Sequence, residues 1–285
     1  MRRWLAALAL GVCGVAGMSA LAGSAQAAAF AQPAATDWRP VDEANTLVID
    51  TNQGRVIVEL YPGVAPMSTA RLVTLARQHF YDGQVFFRVI DDFMDQTGDP
   101  KNTGEGASPL PNLPAEFTFR RAPADPVTVV DHADSAEIGF WGALPLQSQP
   151  IAQAELTADG KVTANGMFCP GVLGIARADD PNSANSQFFL MRGTHATLNG
   201  NYAAVGRVVS GEDVVRRIKT GEPVADPQDR MLKVQVLADM PASDHPQVKV
   251  LDTHSAYFQA LYQRTKAERA DDSLPCALDV PSQVK

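Results

Sequence analysis

Basic charge is scarce in this sequence, and the shortage excludes one class of function. Lys and Arg number 24 against 32 Asp and Glu, a formal net charge of −8. A chain this acidic is not suited to neutralising a phosphate backbone, so nucleic-acid binding is not expected. Histidine is also sparse: His79, His132, His195, His245 and His254 show no metal-ligand spacing. No P-loop Lys-Ser/Thr pair follows a glycine cluster. Lys219-Thr220-Gly221 and Ser282-Gln283-Val284-Lys285 echo penicillin-binding motifs, but in the wrong order and with the serine in a tail. Beyond the first 27 residues no apolar run is long enough to cross a bilayer, so stable membrane insertion is not expected.

The amino terminus does carry an apolar run. Arg2 and Arg3 precede the Ala/Gly-rich stretch Leu5 to Leu21, and Ser24-Ala25-Gln26-Ala27 offers small residues of the A-x-A kind. This is the format of a secretory signal peptide cut after Ala27, and it predicts a bacterial, periplasmic protein. Cys13 lies inside the apolar run after Val12, which does not suit a lipid anchor. Cleavage would leave 22 Lys and Arg against 32 acids, a mature net charge of −10. It would also leave two cysteines, Cys169 and Cys276. An even pair in an oxidising compartment predicts a disulfide that pins the tail to the rest of the domain. Two independent thiols are the alternative, because spacing alone does not fix geometry.

Residues 28–45 show no periodicity and read as a flexible lead-in. Asn45 to Thr51 and Arg55 to Leu60 read as strands around the turn Asn52-Gln53-Gly54. Ser68 to Gln78 reads as a helix, with Pro66 before it, Ser68 as its cap and Leu72, Leu75 and Ala76 at helical spacing. Strands are expected over Gly171 to Arg177, Gln187 to Arg192, Tyr202 to Val209 and Met231 to Leu237, with a short helix from Glu212 to Thr220. His254 to Arg269 reads as a third helix with Tyr257, Phe258, Leu261 and Tyr262 on one face. Residues 271–285 read as a mobile tail apart from Cys276.

The most informative stretch runs from Phe86 to Asp99, FFRVIDDFMDQTGD. Phe86, Phe87, Val89 and Ile90 suit a pleated, half-buried surface. Arg88 interrupts them. Its guanidinium is expensive to bury without partners, so it either faces a groove or snorkels to the surface. Gln96 brings an amide, and Phe93 and Met94 bring apolar surface. An apolar pocket edged by a few polar groups is the usual makeup of a ligand or peptide site. This segment by itself leaves both readings open.

A second stretch favours the groove. Gly171-Val172-Leu173-Gly174-Ile175-Ala176-Arg177 is followed by Asn185-Ser186-Gln187-Phe188-Phe189-Leu190. Together the two stretches resemble the cyclophilin family of peptidyl-prolyl cis/trans isomerases. The first matches F-x-R-x-I-x-x-F-M-x-Q-x-GD; the second matches S-Q-F-F and, with Ile175 in place of Met, G-x-L-x-M-A. The resemblance spans residues 46–238, interrupted by a long insert at about 120–170, with a C-terminal extension over 239–285. It implies a mainly β fold: a closed antiparallel β-barrel capped by two helices. The insert, which holds Phe140-Trp141-Gly142-Ala143-Leu144-Pro145-Leu146, reads as a hairpin-like excursion that either extends the groove, meets a partner or pads the surface.

The resemblance also implies a chemistry without nucleophile, metal or cofactor. Arg88 would donate to the prolyl nitrogen of the twisted amide. Phe93, Met94, Phe189 and Leu198 would form the proline pocket, and Gln96 would take the peptide carbonyl or neighbouring backbone. Ala176 and Arg177 would hold the substrate strand by main-chain contacts, Gln187 would orient Arg88 or Gln96, and Gly104 would lie in the family's glycine loop. Three positions depart from the eukaryotic pattern: Thr197 stands for Trp, Tyr202 for His and Arg177 for Asn. Weak cyclosporin binding follows from the first, bacterial exported members share Tyr202, and Arg177 adds a cation at the rim. The partners implied are proline-containing polypeptides, bound by a monomer. The alternative is a chaperone or peptide-binding module with the same groove and little turnover.

Overall fold

The computed structural model describes residues 32–133, 135–269 and 275–285. The expected signal peptide, with Cys13, lies outside the described residues, as does residue 271–274 of the expected tail. Pro33–Lys285 form one compact unit.

The first elements are β1 (Trp38–Pro40), β2 (Thr46–Thr51), β3 (Gly54–Leu60), α1 (Pro66–Arg77), β4 (Arg88–Ile90) and β5 (Met94–Thr97). The insert supplies β6 (Phe119–Arg121), β7 (Val127–Ala133), β8 (Ala136–Trp141), β9 (Leu144–Ser148) and β10 (Val162–Gly166). Then come β11 (Val172–Ile175), β12 (Phe188–Met191), β13 (Ala204–Ser210), α2 (Glu212–Arg217) and β14 (Met231–Val236). The extension adds β15 (Val248–Leu251), α3 (Ala256–Glu268) and β16 (Ser282–Val284).

Eight strands make one antiparallel sheet in the order β14-β2-β3-β13-β11-β12-β5-β4. Its two ends meet through isolated bridges, Val85 with Arg230 and Val89 with Gly221, so closure is completed without a continuous ladder. Leu47, Ile49, Val56 and Val58 fill the interior together with Leu72 and Leu75 of α1 and Val214 and Val215 of α2. Those two helices are therefore held by the barrel core. The cap of α1 differs from expectation. Its N-cap is Ala65, and Glu116 accepts from the N–H groups of Met67 and Ser68 at 2.8 and 2.7 Å. A carboxylate placed there also complements the helix dipole.

The opposite faces of β2 and β3 are buried too. Val48 and Ile57 join a second cluster with Phe140, Val250, Phe258 and Tyr262. Three expected irregular regions build that layer. Residues 28–45 are expected as a flexible lead-in; 28–31 lie outside the described residues, but in the rest β1 pairs with β15 and Val41 is buried. The tail is likewise tied down: β16 completes the β1-β15-β16 sheet, and Leu278 and Val280 are buried. The insert is a five-stranded sheet, order β6-β10-β9-β8-β7, instead of a hairpin. Its Phe140 meets Phe258 edge-on at 5.3 Å between centroids, so this residue packs on α3 and does not extend a groove. A disulfide joins Cys169 to Cys276, with 4.7 Å between their Cα atoms.

Candidate active site

Register decides which side chains meet. In the β4–β5 pair, Arg88 lies opposite Gln96 and Ile90 opposite Met94. In the β5–β12 pair, Gln96 lies opposite Phe189, and in the β11–β12 pair Phe189 lies opposite Gly174. Side chains directly opposite share a face, so Arg88, Gln96 and Phe189 stand in one row. Gly174 at the end of that row leaves room for rings: a Cβ there would lie 2.5 Å from Phe189 and 2.7 Å from Phe168. Asp95 falls between Met94 and Gln96 and points the other way, into a buried pair with Arg192 at 2.5 Å. Desolvation pushes its carboxyl up to about 7, against the pull of Arg192.

The row opens into a cavity of about 110 Å3 lined by Arg88, Phe93, Met94, Gln96, Ala176, Arg177, Phe189, Leu198 and Tyr202. Its floor is aromatic: Phe189 stacks on Phe168 at 5.8 Å and meets Tyr202 edge-on at 6.0 Å. A larger cavity of about 410 Å3 adjoins it and shares Gln96, Ala176 and Arg177. Gly104 and Gln187 line this second space. Sequence reasoning therefore named residues that fall in one continuous groove.

A relay of hydrogen bonds fixes the polar side. Arg88 Nε donates to Glu222 Oε1 at 2.5 Å, and Arg88 Nη1 donates to Gln96 Oε1 at 3.3 Å. Gln96 Nε2 donates to Gln187 Oε1 at 2.9 Å. Gln187 Nε2 in turn donates to the carbonyls of Gly104 and Gly106 at 2.9 and 2.8 Å. Gln187 thus orients Gln96 directly and Arg88 through it. The Ala176 N–H donates to the Gln187 carbonyl at 2.9 Å, so that donor is already occupied. Arg177 stacks on Tyr202, with its Cζ 4.5 Å from the ring centroid.

Residues 46–238 match the family model described as cyclophilin type peptidyl-prolyl cis-trans isomerase/CLD. The chain belongs to the cyclophilins. A "Probable peptidyl-prolyl cis-trans isomerase" of Brucella suis is 35% identical over 203 residues, covering 70% of this chain and 85% of the relative. "Peptidyl-prolyl cis-trans isomerase ppi1" of Schizosaccharomyces pombe is 29% identical over 170 residues, covering 60% of this chain and 82% of the relative. The solved structure of cyclophilin AquaCyp293 from Hirschia baltica is similar with a TM-score of 0.79 and 32% identity, covering 87% of this chain and 93% of that one. The protein is a peptidyl-prolyl cis-trans isomerase by family.

Two residues that support this cyclophilin's groove from outside its lining were given no role by the sequence. Glu222 lies 134 residues from Arg88, in a loop whose only local signal is its turn residues. Asp99 ends the first motif, yet its role is local. Its carboxylate accepts from the N–H groups of Lys101, Thr103 and Gly104 at 2.7, 2.9 and 2.6 Å. Burial opposes the charge, but these backbone donors and that of Gly106 outweigh it and hold the carboxyl below its usual value. Gly106 has no room for a Cβ, which would overlap Asp99 Oδ1. Among the described residues no cluster of three or more His, Cys, Asp or Glu could hold a metal ion.

Proposed function

We propose that this cyclophilin isomerises X–Pro bonds of unfolded or extended exported proteins, and that Arg88 donates to the prolyl nitrogen of the twisted amide. The observation that carries the reading is a guanidinium on the wall of a small cavity lined by Phe93, Met94, Phe189 and Leu198. Amide resonance sets a barrier of about 18–20 kcal/mol. Twisting localises the lone pair on nitrogen and makes it a better acceptor, so a donor aimed there favours the transition state over either planar form. A hydrogen bond from a charged donor contributes about 1.5–3 kcal/mol, roughly ten- to a hundredfold in rate. The apolar cavity would hold the ring, Gln96 would hold the peptide beside it, and Gln187 would keep Gln96 in register. Glu222 on Nε and Gln96 on Nη1 support a fixed orientation of the guanidinium.

Export to the periplasm rests on the format of residues 1–27. A mature amino terminus at Ala28 in the periplasmic fraction would support it; an unprocessed chain in the cytoplasm would refute it. The isomerase test is a proline-switch peptide assay on wild type and Arg88→Ala, with peptide binding measured beside it. Turnover that falls about ten- to a hundredfold with binding retained is expected. Unchanged turnover overturns the role of Arg88. Binding without wild-type turnover favours the chaperone module.

A further inference from the structure

We propose that Arg177 makes the groove selective for substrates with an acidic side chain adjoining the proline. This rests on the isomerase reading only for where the proline sits. The two cations of the smaller cavity, Arg88 and Arg177, differ in their partners. Arg88 is ion-paired with Glu222 at 2.5 Å and keeps its charge. Arg177 has no carboxylate partner among the described residues, and its acceptors are all neutral carbonyls. Nη1 donates to Ala178 and Asp179 at 2.8 and 3.4 Å, while Nε and Nη2 both donate to Asn201 at 3.3 and 3.2 Å. Asp179 therefore approaches through its main chain and not through its acid.

The guanidinium is also held in place. Its Cζ lies 5.2 Å from the Phe117 ring centroid and 4.5 Å from that of Tyr202. A guanidinium offers five N–H donors. The single bond from Nη2 leaves one of its hydrogens uncommitted. A cation oriented in advance loses little freedom when it meets a carboxylate.

Position selects the substrate residue. Arg177, Gln96 and Ala176 form the boundary shared by the two cavities. Neighbouring Cα atoms are about 3.8 Å apart. A proline seated against Phe93 and Phe189 therefore sets a residue next to it within one Cα step of that boundary, where Arg177 lines both cavities. The rest of the larger cavity is rich in neutral amides: Asn112, Asn185 and Gln187. One acid, Glu105 on the glycine loop, also lines it and would oppose an anionic side chain. The two charges thus give the proposal a sign that can be tested from both directions.

The experiment measures binding of peptide pairs that differ only in Glu or Gln beside the proline, on either side of it. It uses the mature wild-type protein and the Arg177→Gln, Arg177→Lys and Glu105→Gln variants, with circular dichroism to confirm folding. Wild type should bind the Glu peptide about two- to fivefold more tightly at low salt, the range of a partly exposed ion pair. The preference should shrink at high salt, vanish in Arg177→Gln, persist in Arg177→Lys and grow in Glu105→Gln. Equal affinities in wild type, or a preference that survives Arg177→Gln, would overturn the proposal. If Arg177→Gln does not fold, a preference unmoved by Glu105→Gln and by salt overturns it. Binding needs no turnover, so a Glu preference in a protein that fails the isomerase assay would support this inference while refuting the catalytic one.

Discussion

Asp99→Asn should destabilise this cyclophilin through the glycine loop that Asp99 holds. The carboxylate is fully buried and accepts three backbone N–H groups within 3.0 Å. Asparagine keeps the shape but replaces one acceptor oxygen with a donor. At least one buried N–H then faces an NH2 group, and the remaining bonds lose their charge. Hydrogen bonds to a charged group contribute about 1.5–3 kcal/mol each, and bonds sharing one acceptor do not add fully. A loss of about 2–3 kcal/mol is expected, or about 5–10 °C in Tm for a domain of this size. The pH dependence has a definite sign. Folding lowers the pKa of Asp99 below its ordinary value of 3.8. Its contribution is therefore complete above that value and lost as pH falls through the lower, folded value. Thermal unfolding of wild type and Asp99→Asn between about pH 7 and pH 3 should show the two curves converging in acid. The variant should also lose turnover, because the loop carbonyls of Gly104 and Gly106 hold Gln187. A Tm difference that is absent at neutral pH, or that persists undiminished in acid, would refute the reasoning.

Three further outcomes follow from the geometry. Glu222→Ala releases Arg88 Nε and should lower kcat/KM severalfold, with Glu222→Gln falling less; equal values for wild type and Glu222→Ala in the peptide assay would remove it as a positioning residue. Gly174→Ala puts a methyl against Phe189 and Phe168, so substrate affinity should weaken and stability should fall by about 1–3 kcal/mol, read by peptide titration and denaturant unfolding. Replacing Cys169 and Cys276 together by Ser opens a link across 107 residues. It should cost about 2–4 kcal/mol in urea unfolding while sparing turnover at 25 °C, since neither cysteine lines the groove.

Much of the barrel was legible because its strands carry their own patterns. Phe86 to Ile90, Val172 to Ile175 and Phe188 to Met191 are apolar runs broken only by Arg88 and Gly174, and motif spacing singled out the groove residues. Glu222 was not legible, because its partner is distant in sequence and nothing local marks it. The insert was misjudged for a different reason. Its β8 and β9 are buried almost without a break where alternation was sought, while only β7 and β10 alternate. The covering layer did leave a trace in β2 and β3. Leu47-Val48-Ile49 and Val56-Ile57-Val58 are apolar on both faces, which an uncovered barrel wall would not need. The described parts of the lead-in and the tail are short and carry no periodicity, and pairing with β15 orders β1 and β16.

In the proposed mechanism one guanidinium, that of Arg88, stabilises the twisted prolyl amide. Exchange between the cis and trans forms of an Ala-Pro peptide, followed by NMR with catalytic amounts of wild type and Arg88→Ala, tests it most directly. Fast exchange with wild type and a rate about ten- to a hundredfold slower with the variant, at equal peptide occupancy, is the predicted result. Equal exchange rates at equal occupancy would contradict it.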